Sequence, residues 1–137
     1  MTALLDTSFL FALANGNDRN HERVLRLAQS VMADLVLPVS VLPEVCYLIG
    51  SRLGYGAMCH FLKQMTHSDV TLETVTLTDL ERTIEILTQY ADARLDFVDA
   101  TIVSIAERLN ISRVFTLDRR DFSIMRPRHC SHFEIFP

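Results

Sequence analysis

The run Ala3-Leu4-Leu5 is apolar without alternation and is cut off by Asp6. Successive side chains of a strand point to opposite faces, so such a run fits a parallel sheet covered on both sides. Leu35-Val36-Leu37 repeats the pattern and is closed by Pro38, and Arg113–Thr116 gives a further strand ending at Asp118. Val70–Val75 alternates as a strand does, and Phe133–Phe136 reads as a last one. Helix-length stretches separate these strands, and strand–helix alternation predicts an α/β parallel sheet between helices.

The helices can be placed by their caps and stripes. Phe9–Ala14 reads as a short helix stopping at Asn15-Gly16. Asn20 or Asp18 can cap the next, whose stripe is Val24, Leu25, Ala28, Val31 and Met32. Ser40 opens a third helix, with Pro43 in its first turn where a missing N–H does no harm. Gly54 and Gly56 separate it from a fourth that ends near His67. Thr78 and Glu81 have capping-box spacing, opening a helix with Leu80, Ile84, Leu87 and Ala91 on one side. A sixth starts near Asp96, with Ile102, Val103, Ala106 and Leu109 inward.

The 137 residues amount to one domain, residues 1–137, large enough to fold without a disulfide or zinc staple. Three widely spaced cysteines, Cys46, Cys59 and Cys130, make no disulfide framework, and reduced thiols in a cytoplasm are the default. His129-Cys130-x-His132 has metal-ligand types but no second cluster, so an ordinary loop is the better reading than zinc. The uncharged stretch Leu35–Pro43 is too short to span a bilayer, and Asp6 interrupts an N-terminus that lacks a basic leader.

The net charge is −4, unevenly spread. Residues 1–107 carry seven basic and fourteen acidic side chains; residues 108–129 carry six arginines against Asp118 and Asp121. An acidic body with one Arg-rich segment can hold cations and still meet a polyanion along one edge.

Asp6 and Asp118 each follow a strand, Glu44 sits one turn into a helix, and Asp99 opens another. In a parallel sheet, ligands bind just outside the carboxyl ends of the strands, where such residues gather. Each acid also has a structural explanation. Asp6 can make a turn, Glu44 can complement its helix dipole, and Asp96 can cap a helix with Asp99 at the third position. Asp118 and Asp121 repeat that last spacing. Carboxylates crowded together repel, and a divalent cation with hard oxygen ligands, Mg²⁺ or Mn²⁺, would relieve them.

Four blocks in order carry a family resemblance: Leu4-Leu5-Asp6-Thr7-Ser8, Pro43-Glu44, Asp96-Phe97-Val98-Asp99, and Thr116-Leu117-Asp118-Arg119-Arg120-Asp121-Phe122. With His21 after the first helix, the chain resembles the PIN-domain family, and within it the VapC-type ribonuclease toxins of toxin–antitoxin modules. The resemblance implies a three-layer fold with parallel strand order 3-2-1-4-5, which makes Asp6 and Asp118 neighbours. It implies a Mg²⁺- or Mn²⁺-dependent endoribonuclease with Asp6, Glu44, Asp99 and Asp118 at the metal. It further implies Thr7, Ser8 and Thr116 orienting those carboxylates, and Arg119 and Arg120 on RNA phosphates. Asp96 and Asp121 stay open between the site and helix capping. A homodimer through the helices of residues 40–66 and a cognate antitoxin are the implied partners. The alternative is a non-catalytic RNA-binding or assembly module on the same fold.

Overall fold

The computed structural model describes residues 1–30 and 34–137. Five strands form one parallel sheet in the order β3-β2-β1-β4-β5: β1 Thr2–Leu5, β2 Asp34–Pro38, β3 Thr71–Glu73, β4 Arg113–Phe115 and β5 Glu134–Phe136. Ala3, Leu4 and Leu5 are fully buried, which covers the central strand on both faces, as its unalternating sequence requires. Seven α-helices flank the sheet among the described residues: α1 Thr7–Ala14, α2 His21–Ser30, α3 Val41–Arg52, α4 Tyr55–Thr66, α5 Leu77–Gln89, α6 Phe97–Leu109 and α7 Arg119–Ile124. Helix α5 packs on α6, and α1 on α3.

Several local expectations need correction. The capping box expected at Thr78–Glu81 forms at Thr76–Asp79: Asp79 N–H donates to Thr76 Oγ1 at 3.1 Å, and Thr76 N–H donates to Asp79 Oδ2 at 2.9 Å. Both pairs have workable spacing, but only the earlier one buries Asp79 where Arg108 can reach it. The buried face of α5 is therefore Asp79, Thr83 and Ile86, and Ile84 is 63% exposed. Helix α6 is buried nearly all round from Val98 to Ala106, while Leu109 turns partly outward. Strand β3 keeps only three residues of the expected Val70–Val75. Of the α2 stripe, Val24 is fully buried; Val31 and Met32 lie outside the described residues.

The sheet order reverses between β1 and β4. The link there is direct, since Asp6 N–H donates to the Phe115 carbonyl at 3.1 Å. The carboxyl ends of β1 and β4 thus lie side by side at the switch point, followed at once by Asp6 and Thr116.

Candidate active site

Asp6 leaves β1 and caps α1, with Oδ1 accepting from Thr7 N–H at 2.7 Å. Its Oδ2 accepts from the Thr116 hydroxyl at 2.6 Å. Thr116 has one proton, and that bond uses it. Its oxygen then accepts from Asp118 N–H at 3.0 Å and from the Ser8 hydroxyl at 3.0 Å. Ser8 Oγ accepts in turn from Leu117 N–H at 2.9 Å. Two hydroxyls therefore fix the Asp6 carboxylate and the backbone at Asp118 as one unit across β1 and β4.

Glu44 stands in the first turn of α3. Ser40, before that helix, hydrogen-bonds Thr101 of α6 at 2.8 Å, and Thr101 donates to the Val98 carbonyl at 2.6 Å. This staple holds the start of α3 against the start of α6, which carries Asp99. Asp96 caps α6, accepting from Val98 N–H at 3.0 Å and Asp99 N–H at 3.3 Å. A capping box would turn the third-position acid back to the Asp96 N–H. That N–H instead donates to Asp121 Oδ2 at 3.4 Å, which leaves the Asp99 carboxylate to the site.

Asp6, Thr7, Ser8, Glu44, Leu48, Asp96, Asp99 and Asp118 line one cavity of about 240 Å³. All four acids expected at the metal thus line one cavity, along with Asp96 and two of the three orienting hydroxyls, but Asp6 and Glu44 are not in the group whose oxygens approach within metal-ligand range of one another. A larger hollow of about 470 Å³ lies between α7 and β5, but it holds no carboxylate. Asp121 does not line this cavity, but oxygens of Asp99, Asp118 and Asp121 all lie within 4.8 Å of one another. Its sequence signals are the repeated D-x-x-D spacing, Asp96–Asp99 and Asp118–Asp121, and its place in the fourth block of the family resemblance. Among the described residues no other group of three His, Cys, Asp or Glu side chains has metal-ligand geometry, the His129–His132 segment included.

Burial pushes the Asp6 carboxyl up to about 6, against hydrogen bonds from Thr116 and Thr7, with the charges of Glu44 and Asp118 adding to the rise. Burial pushes Asp99 far above the carboxylate range, helped by the charge of Asp6, a shared hydrogen bond with Asp121, and the charges of Asp96 and Asp118. Among the described residues the one salt bridge at this cluster is Arg120 to Asp121, 2.6 Å. The hydroxyl of Thr7, on the cavity wall and buried, has no hydrogen-bond partner among the described residues. Hard oxygen donors, surplus negative charge and an unsatisfied hydroxyl suit a hard divalent cation.

The arginines are placed unequally. Arg120 donates to Asp121 and, at 3.1 Å, to the Ala93 carbonyl. Arg119 donates to the Pro137 carbonyl. His21 does not reach the acids; its Nδ1 meets the Ala12 carbonyl at 2.9 Å, tying α2 to α1.

A parallel α/β sheet with uncompensated carboxylates at its switch point is the frame of one nuclease class, and the PIN domain model matches residues 3–126. The chain belongs to the PIN domain family. It is 31% identical over 134 residues to Ribonuclease VapC26 of Mycobacterium tuberculosis, covering 98% of this chain and 99% of that one. Among solved structures it resembles Mycobacterium tuberculosis VapC20, described as a Sarcin-Ricin loop cleaving toxin. That match has 27% identity and a TM-score of 0.83, over 93% of this chain and 98% of that one. The VapBC2 structure from Rickettsia felis, 16% identical, covers all of both chains with a TM-score of 0.72 and bears on the fold.

Proposed function

We propose that this chain is a single-domain, divalent-metal-dependent endoribonuclease of the VapC toxin kind, with Mg²⁺ or Mn²⁺ held by Asp6, Glu44, Asp99 and Asp118. The observation that carries the reading is the cluster of unneutralised acids at the β1–β4 switch point, in a chain 31% identical to a named ribonuclease. When bound, the metal supplies a lowered water pKa and charge stabilisation at the phosphoryl oxygens. The chain's own part is positional. Thr116 and the Thr7 N–H hold both oxygens of Asp6, so its ligating geometry is set before substrate arrives. Ser8 transmits that constraint to the backbone entering Asp118. Asp96 fixes the start of α6 and hence Asp99, and Asp121 stands against Asp99 with Arg120 balancing its charge.

The proposed partners follow from the same kinship. VapC20 is described as a toxin, and a toxin calls for an antitoxin protein. A homodimer would use α3 and α4, where Tyr47 and Tyr55 are both largely exposed. No helix among the described residues is long and apolar enough to cross a membrane; the proposed cytoplasmic setting rests on the kinship with the ribonuclease toxins.

Cleavage of a set of structured and single-stranded RNAs, with Mg²⁺, with Mn²⁺ and with EDTA, tests the proposal. Cutting is expected with either metal, lost in EDTA and restored by excess metal. EDTA-insensitive cutting sinks the metal role. Metal binding by calorimetry without cleavage of any RNA replaces the enzyme by the non-catalytic module.

A further inference from the structure

The segment 108–129 holds six arginines, and the fold neutralises most of them. Arg108 lies 2.9 Å from both Asp79 and Glu73, Arg113 3.4 Å from Glu134, Arg120 2.6 Å from Asp121, and Arg128 2.8 Å from Glu85. Of these six, only Arg119 and Arg126 have no carboxylate side chain in salt-bridge range among the described residues. Arg119 donates to the main-chain oxygen of Pro137, the last residue of the sequence, so it keeps only part of its guanidinium free. Arg126 has its backbone N–H on the Tyr90 hydroxyl at 3.1 Å, and no hydrogen bond of its guanidinium is present among the described residues. Both are exposed, and both line the 470 Å³ cavity between α7 and β5. Ser131 and His132 lie on the same wall, 3.0 Å apart through Oγ and Nδ1, and Phe122 and Phe133 form the floor. An acidic cluster does not border this hollow, yet Arg119 directly follows Asp118 of the acid site.

A chain of net charge −4 needs a local, unneutralised cation to hold a polyanion beside an acidic centre. We propose that the cavity between α7 and β5 is a phosphate-docking subsite for the RNA strand leaving the acid site, with Arg119 and Arg126 as its two charged contacts. This rests on the ribonuclease reading and assigns it a second, separate substrate contact. Arg120 and Arg128, close in sequence, are structural arginines spent on Asp121 and Glu85. Phe122 and Phe133 are themselves buried, so the subsite reads backbone phosphate and offers no exposed aromatic face for base stacking.

The test is a salt series of RNA affinity. A fluorescein-labelled single-stranded RNA is bound to the full chain carrying Asp99→Asn, which keeps the RNA intact. In that background, Arg119→Gln, Arg126→Gln, Arg126→Lys and Arg128→Gln are compared. Each true phosphate contact contributes a slope of about −0.7 in log affinity against log salt. Arg119→Gln and Arg126→Gln are expected each to flatten the slope by about 0.7. The affinity lost over a fourfold rise in salt then shrinks by about 2.6-fold per arginine. Arg126→Lys should keep the slope, and Arg128→Gln should leave it unchanged. An unaltered slope for Arg126→Gln overturns the subsite while the ribonuclease reading stands. Equal flattening by Arg128→Gln also overturns it, in favour of a diffuse positive field. Absence of RNA binding by the parent chain at low salt, despite RNA cleavage by the wild type, overturns the subsite alone; absence of both overturns the two together.

Discussion

Two groups of carboxylates in this molecule meet opposite fates. Asp79, Glu73, Glu85 and Glu107, around α5 and α6, face Arg82, Arg108 and Arg128. Arg82 grips both oxygens of Glu107 at 2.7 and 3.1 Å, and Arg108 both oxygens of Asp79 at 2.9 and 3.0 Å. Burial alone would raise Asp79, but hydrogen bonds from Arg108 and Thr76 hold it below its ordinary value. Burial likewise opposes Glu107, and Arg82 with the Arg128 N–H brings it down. At the switch point the same residue types are buried beside one another, and Asp6 and Asp99 are driven up. A fold that places arginines on those acids gives none to Asp6, Glu44, Asp99 or Asp118 among the described residues. The difference supports the proposal that the second group holds a cation that the chain does not itself provide.

The sharpest way to break the comparison is Asp99→Asn. At a metal-binding acid this should lower cleavage by about 10³-fold, the scale of losing a key electrostatic group in an active site. The melting temperature should hold or rise, because burial penalises a charge on Asp99 in the metal-free chain and Asn carries none. Single-turnover cleavage alongside thermal melts checks both; activity within tenfold of wild type would remove Asp99 from the site.

Next in size is pH. In EDTA, Asp6 binds its proton more tightly folded, at about 6, than unfolded, near 3.8. The stability this contributes is complete below about pH 4 and is lost as pH rises through 6. Two pKa units correspond to about 3 kcal/mol between pH 4 and 7. Asp79 and Glu107, held low, contribute in the opposite sense: their stabilisation is complete at neutral pH and is lost as pH falls below about 4. Urea midpoints across pH should therefore decline from pH 4.5 to 7 without metal, and Mg²⁺ should flatten the decline. A midpoint that rises with pH over that window in EDTA, equally with and without Asp6→Asn, would contradict the unequal treatment of the two groups.

Arg108→Gln tests the neutralised side and is the smallest effect. It strands the buried Asp79 while Thr76 still caps it. Because Arg108 is itself about a third exposed, the expected loss is about 2 kcal/mol rather than the larger cost of breaking a fully buried pair. Cleavage by the folded fraction should be unaltered. A loss of cleavage without a loss of stability would tie the α5–α6 network to the chemistry.

Much of this molecule is legible in its sequence. The strands at Ala3–Leu5 and Leu35–Leu37, the cap at Asp96 and the acids at strand ends all follow from patterns within a few residues. Where two local patterns compete, the sequence cannot arbitrate. Thr78–Glu81 reads as the cap in the sequence, but the box forms at Thr76–Asp79, where Arg108, 29 residues on, reaches the buried Asp79. The apolar Ile84 reads as core, yet Thr83 faces inward because its hydroxyl meets Ser104 at 2.9 Å. Asp121 stays open in the sequence between a cap and the site, and only the fold brings it within 4.8 Å of Asp99 and Asp118.

Local pattern along the chain settles the element order, the parallel sheet and which acids stand at strand ends. Backbone caps, helical stripes and unalternating strands are satisfied within about four residues, so they are written locally. Tertiary structure alone decides which acids receive an arginine and which do not, and which arginines are left without a carboxylate partner among the described residues. Hydrogen bonds and ion pairs require approach to about 3 Å. Between Asp6 and Thr116, 110 residues apart in the chain, that approach exists only once β1 and β4 lie side by side.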